Sequence, residues 1–125
     1  IENIVKNIRP EFHKQIEIIN YPQNNMFYIL GVFKDAEAVF ASRYHAGIIG
    51  MLYGRKTYFL SYSDKMVNVL KDIDEKIRYI NINEEINVDV NEFILQYGYE
   101  ILPARLDEIK KSAERQFLKL DSLLK

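Results

Sequence analysis

Three potentially cationic side chains stand beside apolar segments in the middle of the chain. Arg43 and His45 come shortly after the apolar run 38–41, and Lys65 follows the mostly apolar segment 57–62. Guanidinium and ammonium groups make charge-assisted hydrogen bonds to anionic oxygens, so such a group of cations suits a phosphate or carboxylate. The histidine adds a group that can hold or release a proton near neutral pH. These residues therefore predict a local site for a small anion.

The segment around the first two cations predicts where an anion would bind. Residues 38–41 are typical of a short buried strand, and residues 43–53, which are apolar or glycine from Ala46 onward, predict a helix. Ser42 is then near the N-cap, and Arg43 and His45 lie in the first turn, where unpaired N–H groups and the helix dipole favour an anion. Cations add like charge to this helix end. Their presence has a local electrostatic cost, which a bound phosphate or carboxylate would offset.

A second strand-to-helix junction predicts that the cations share one edge of a sheet. The strand predicted at 57–62 ends at Tyr62, and Lys65 falls in the first turn of the helix predicted at 63–73. In open parallel sheets, ligands bind outside the carboxyl ends of the strands. The candidate site residues are therefore Ser42, Arg43, His45, Tyr62 and Lys65.

Strand and helix patterns alternate along the whole chain. The sequence predicts strands at 15–21, 38–41, 57–62 and 78–82, a turn at 21–25, and helices at 26–35, 43–53, 63–73, 90–97 and 103–125. This order predicts an α/β fold with an open parallel sheet of about four or more strands and helices on both faces. With 125 residues and no internal linker, the chain predicts a single domain, residues 1–125.

Composition excludes several classes of function. The 17 basic and 18 acidic residues give a net charge of −1, which lacks the electrostatic footprint of a nucleic-acid-binding protein. No cysteine is present, so a thiolate metal site and a cysteine nucleophile are excluded, and a reducing compartment such as the cytoplasm is expected. No P-loop, dinucleotide fingerprint or HExxH motif occurs, and we expect neither a metal nor a cofactor.

The chain begins within an amphipathic pattern, residues 1–8, and we expect a fragment of a longer protein.

Residues 36–73, "AEAVFASRYHAGIIGMLYGRKTYFLSYSDKMVNVLKDI", resemble the signature segment of the polysaccharide pyruvyl transferase family. In that segment an apolar strand leads into an Arg-x-His-Ala helix, then a glycine, an apolar strand and a Tyr-x-x-Lys junction. Tyr44 stands where a leucine is common, and Lys56 stands where a proline often follows the glycine. The resemblance implies the Rossmann-like, C-terminal, donor-site half of a GT-B-like enzyme, with an N-terminal domain preceding it.

The resemblance also implies a reaction. Enzymes of this family transfer the enolpyruvyl group of phosphoenolpyruvate to a sugar hydroxyl, leaving a pyruvate ketal on a surface polysaccharide or its precursor. Phosphoenolpyruvate is then the donor substrate, and a sugar or lipid-linked oligosaccharide is the acceptor, in the cytoplasm or at the inner face of the membrane. Carried over, Arg43 and His45 are the donor-binding pair, His45 is the catalytic acid, and Lys65 binds the donor anion.

Two other functions fit the same residues. The donor-binding half of a nucleotide-sugar GT-B glycosyltransferase would place a diphosphate at the same edge of the sheet. A noncatalytic assembly module would instead use the helix 103–125 as its contact surface, because its apolar residues form one stripe. As one half of a two-domain pyruvyl transferase, the isolated chain is expected to bind the donor weakly and to have no turnover of its own.

Overall fold

The computed structural model of the chain describes residues 5–19, 25–84 and 87–124. The chain divides into two compact units, residues 1–31 and residues 32–125. None of the helices in the described part of the chain is long and apolar enough to cross a membrane.

One strand predicted for the first unit is not present in its described residues. Residues Pro10–Gln15 form a 3-10 helix, and residues 16–19 belong to no strand, so the strand predicted at 15–21 is wrong over its described part. The backbone at Ile16 is extended, but no described strand pairs with it, and an alternating isoleucine pattern forms a strand only where a partner supplies the ladder. Residues 1–4 of the opening pattern and 20–24 of the predicted strand and turn lie outside the described residues.

The remaining predicted elements are confirmed, with each end within one residue of its prediction. Helix α1 (Met26–Asp35) leads into the second unit, and the order there is β1 (Ala38–Ala41), α2 (Tyr44–Leu52), β2 (Lys56–Ser61), α3 (Asp64–Ile73), β3 (Tyr79–Asn81), α4 (Val90–Gln96) and α5 (Pro103–Leu124). Gly54 follows α2 with φ +66°, the left-handed conformation that glycine adopts most easily after a helix.

The sheet is parallel, and its described part has three strands in the order β1-β2-β3. The α/β class and the open parallel sheet are thus confirmed, whereas the expected fourth strand is not formed by the described residues. Ala41 pairs with Phe59, and Ser61 pairs with Asn81, so the strands end close together at their carboxyl ends. At the amino end of β2, Thr57 and Tyr99 exchange two backbone hydrogen bonds of 2.9 Å.

Helix α2 packs closely on side chains of the sheet at two glycines. A Cβ atom at Gly47 would lie 2.2 Å from Cε1 of Phe59, and one at Gly50 would lie 2.8 Å from Oγ1 of Thr57. The two glycines therefore allow a close approach that offsets their cost of about 1 kcal/mol each in helix propensity. Phe59 is fully buried at the centre of the core, whose buried members are Val39, Ala41, Met51, Phe59, Met66, Leu70, Ile77 and Ile101.

The opposite face of the sheet carries an aromatic group. Phe40 of β1 stacks on Tyr58 of β2 with ring centroids 4.6 Å apart, and Phe93 of α4 contacts both rings. The hydroxyl of Tyr58 donates to the carbonyl of Ile94 at 3.1 Å. Since Tyr58 and Phe59 are adjacent in one strand, they point to opposite faces, and helices lie against both.

The carboxyl end of α3 is tied to the start of α5. Arg105 donates from Nε and Nη2 to the carbonyl of Ile73 at 3.1 and 2.8 Å, which satisfies a helix-end acceptor. Asp74 accepts from the backbone N–H of Lys76 at 2.9 Å and from the Tyr99 hydroxyl at 2.8 Å. These two hydrogen bonds hold the pKa of the Asp74 carboxyl below its ordinary value of 3.8.

The apolar stripe of α5 is buried only in part. Leu106 and Ile109 are half-buried and pack against the core, whereas Phe117 is 69% exposed. The side chains of Leu120 and Leu124, further along the predicted stripe, lie outside the described residues.

Replacing Gly47 with alanine should destabilise the fold by about 1 to 3 kcal/mol, because the new methyl group overlaps the Phe59 ring and the gain in helix propensity is smaller. Urea denaturation measures the loss. Gly31→Ala is the matched control, since a Cβ there meets no described atom within 4 Å, and stability should stay the same or rise. If the Gly47→Ala variant were as stable as the unmodified chain, the close packing of α2 on Phe59 would be contradicted.

Replacing Asp74 with asparagine should lower the free energy of unfolding at neutral pH and reduce its dependence on acid pH. The native carboxyl binds its proton less tightly than the unfolded one, so its contribution is present above pH 3.8 and is lost as pH falls through the native pKa. Urea denaturation at pH 7 and pH 3 tests this, with the exposed neighbour Asp72→Asn as control. A stability difference that stays constant between the two pH values would contradict it.

Candidate functional site

The five predicted site residues lie at two neighbouring junctions of the sheet. Residues 42–45 lead from β1 into α2, and residues 62–65 lead from β2 into α3; we call these two segments the rim. Because β1 and β2 are adjacent and parallel, both junctions open at the same edge. The predicted site residues Ser42, Arg43, His45, Tyr62 and Lys65 are all exposed on the rim.

Arg43, not Ser42, occupies the N-cap position of α2. Its backbone is extended, with φ −121° and ψ 135°, and no side chain in the described part of the chain caps this helix end. Ser42 therefore lies next to the N-cap, as predicted, whereas Arg43, predicted in the first turn, is itself the N-cap residue. Without a side-chain cap, the N–H groups of the first turn are available to an anionic ligand.

The Arg43 side chain links the two junctions of the rim. Its Nη1 atom donates a hydrogen bond to the hydroxyl of Tyr62, and its guanidinium carbon lies 5.1 Å from the centroid of the Tyr62 ring. Both contacts orient the guanidinium before any ligand arrives. The remaining N–H donors of the guanidinium can bind an anionic oxygen in the planar, two-point manner that arginine favours.

Lys65 makes the reciprocal contact across the rim. Its Nζ atom lies 5.6 Å from the centroid of the Tyr44 ring, and that ring lies 3.8 Å from the imidazole of His45. The second junction thus reaches the first through a tyrosine, as Arg43 reaches the second. The structure therefore brings Arg43 and Lys65 to the rim in two cation–tyrosine contacts, with the imidazole of His45 beside Tyr44.

Sequence reasoning missed the part that Tyr44 has in this arrangement. Tyr44 differs from the leucine that is common in the family segment, and its ring contacts both His45 and Lys65. The available signal was an aromatic residue between two potential cations, since cations pack favourably on aromatic faces.

A third junction, after β3, also supports the rim and was not predicted. Asn83 donates from Nδ2 to the carbonyl of Tyr62 at 2.8 Å, and the N–H of Ile82 donates to the carbonyl of Ser61 at 2.8 Å. The backbone that carries Tyr62 is therefore held from the neighbouring strand end. No sequence pattern identifies Asn83, because its partner lies 21 residues away.

The chemistry of the rim suits an anion with more than one charged group. It offers a guanidinium, an ammonium, uncapped helix N–H groups and an exposed imidazole within one edge of the sheet. Across the described residues, no group of three or more His, Cys, Asp or Glu side chains is placed to hold a metal ion.

Comparison with known proteins gives one match. The model of the family described as polysaccharide pyruvyl transferase matches residues 1–64, which include Ser42, Arg43, His45 and Tyr62, and Lys65 is the first residue beyond it. No curated protein and no solved structure matches. The family resemblance of the rim segment is thus confirmed by a match that extends upstream to the first residue. Since 64 of the 125 residues match, the chain belongs to the polysaccharide pyruvyl transferase family.

Proposed function

We propose that the chain binds phosphoenolpyruvate at the rim, as the donor-binding part of an enzyme that forms pyruvate ketals on polysaccharides. Membership of a pyruvyl transferase family supports the reaction type. The observation that carries the proposal is Arg43, which stands at an uncapped helix start with its guanidinium oriented by Tyr62 from the next junction. A cation fixed at that place recognises a phosphate or a carboxylate.

The donor has two anionic groups, and the rim has two cationic positions. Arg43 and the first-turn N–H groups of α2 bind one group with several directed hydrogen bonds, and Lys65 binds the other as a point charge. The tyrosines at each position pack against the cations and limit the motion of their side chains. A rigid pair of charges selects a small molecule whose own charges are a fixed distance apart.

His45 is exposed beside these cations and is the proposed acid. It donates a proton to the methylene carbon of phosphoenolpyruvate, and the neighbouring C2 becomes electrophilic. A sugar hydroxyl adds to C2 and loses its proton, and the bond from C2 to the phosphate oxygen breaks to release phosphate. A second hydroxyl of the sugar then adds to C2 and loses its proton, which completes the ketal. Of the two protons that the hydroxyls lose, one restores His45 and the other leaves with the released phosphate.

The remaining parts of the enzyme follow from the same proposal. The chain is the Rossmann-like C-terminal half of a GT-B-like protein, and an N-terminal domain closes over the rim. The acceptor is a sugar or a lipid-linked oligosaccharide, and the reaction takes place in the cytoplasm or at the inner face of the membrane. No cofactor beyond the donor is needed, since the proposed steps use only proton transfer and electrostatic stabilisation.

Arg43→Gln and Lys65→Met should each weaken binding of phosphoenolpyruvate by about tenfold, because each removes a charge-assisted hydrogen bond. Titration of the ¹⁵N-labelled chain followed by NMR measures the affinity, and the shifted amides should be those of residues 42–46 and 63–66. Arg78→Gln is a matched control, since Arg78 also lies over a tyrosine ring but is off the rim. Lys71→Met, at an exposed position on α3, is the control for Lys65.

The same titration with UDP-glucose separates this function from that of a nucleotide-sugar glycosyltransferase. Binding of UDP-glucose at the rim, with phosphoenolpyruvate inert, would overturn the proposed donor. If both variants bind phosphoenolpyruvate with the same affinity as the unmodified chain, the proposed roles of Arg43 and Lys65 are overturned.

His45→Gln should leave binding of phosphoenolpyruvate nearly unchanged and should lower turnover by about 10²- to 10⁴-fold, the usual contribution of a general acid. The assay is phosphate release from phosphoenolpyruvate by the enzyme that contains this chain, in the presence of an acceptor glycan. His13→Gln is the matched control, because His13 is exposed in the first unit and its ring hydrogen-bonds to the carbonyl of Ile8 at 2.8 Å. Full phosphate release by His45→Gln would remove the acid assignment.

A further inference from the structure

A pocket opens at the third strand end, apart from the rim. It has a volume of about 170 Å³ and lies between β3 and the residues on either side of α4. Its polar and aromatic lining is formed by Tyr79, Asn81, Glu84, Asn87 and Tyr97. Pockets for drug-sized ligands have volumes of about 300 to 1,000 Å³. The volume of this pocket is smaller, so it suits a ligand of about one ring.

Hydrogen bonds connect this pocket to the rim. Asn81 accepts from the N–H of Asn83 at 3.1 Å, and Asn83 donates to the carbonyl of Tyr62 at 2.8 Å. Tyr62 in turn accepts from Arg43. Since β3 lies next to β2, the pocket and the rim open at neighbouring strand ends of one sheet.

The lining of the pocket differs in charge from the rim. Among the described residues that line it there is one carboxylate, Glu84, and no cationic side chain. A small anion such as phosphoenolpyruvate is therefore disfavoured there. A neutral ligand that can donate hydrogen bonds to a carboxylate is favoured.

The hydrogen-bonding groups of the pocket match a sugar. Oε1 of Glu84 accepts from Nδ2 of Asn81 at 2.6 Å, and its second oxygen has no partner among the described residues. The amide of Asn87 can both donate and accept, as can the hydroxyls of Tyr79 and Tyr97.

We propose that this pocket binds one neutral pyranose ring of the acceptor glycan. The role as acceptor site rests on the proposed function, whereas binding of a sugar rests on the pocket itself. The β1 and β2 junctions then hold the donor anion, and the β3 junction holds the hydroxyl-bearing substrate beside it. The hydrogen bonds through Asn83 fix the relative positions of the two subsites.

NMR titration of the ¹⁵N-labelled chain tests the proposal with three probes: methyl β-D-galactopyranoside, methyl β-D-glucopyranoside and methyl α-D-mannopyranoside. At least one should shift the amides of residues 79–84, 87, 88 and 97. Glu84→Gln and Asn87→Ala should each weaken that binding by about tenfold. The exposed Glu92→Gln and Asn68→Ala are matched controls and should bind as the unmodified chain does.

The outcomes separate this proposal from the proposed donor site. The pocket is overturned if none of the three pyranosides shifts its amides, or if the pocket and control variants weaken binding equally. Titration with phosphoenolpyruvate should give the same affinity in Glu84→Gln and Asn87→Ala as in the unmodified chain. Sugar binding without phosphoenolpyruvate binding would overturn the donor site and leave the sugar pocket standing, and the reverse result would overturn the pocket alone.

Discussion

The close packing of α2 on the sheet is the constraint on which the candidate site depends. Gly47 and Gly50 bring the helix backbone against the side chains of Phe59 and Thr57. This close packing fixes the position of the helix relative to β1 and β2. The first turn of α2 therefore stands at a defined place above the ends of both strands. Arg43 and His45 belong to that turn or its cap, and their location follows from the core beneath them.

The rim also shows how cations are tolerated at a positive helix end. A charge of the wrong sign there costs about 0.3 to 1 kcal/mol, and a cation on an exposed aromatic ring gains about 0.5 to 1 kcal/mol. The free energy gained from the contacts of Arg43 with Tyr62 and of Lys65 with Tyr44 is therefore comparable with the cost of placing a cation at the helix start. The unliganded arrangement does not need an anion to be stable, and the case for a ligand comes from the chemistry of the exposed groups.

Sequence patterns predicted local elements well and contacts poorly. The bounds of α1 and β1 follow from apolar runs with clear ends, and the rim follows from a general rule about parallel strands. The isoleucine alternation at 15–19 failed because a strand needs a partner, which no local pattern reports. Tyr44 and Asn83 were missed for a related reason: their partners Lys65 and Tyr62 are about 20 residues away in sequence.

The shortness of β3 has a consequence for how copies of the chain meet. It is three residues long and lies at one side of the described sheet, with β2 as its neighbour. Its outer side therefore presents few unpaired backbone groups to a foreign strand. Short outer strands of this kind are poor templates for edge-to-edge pairing, so this margin of the sheet resists aggregation by strand addition.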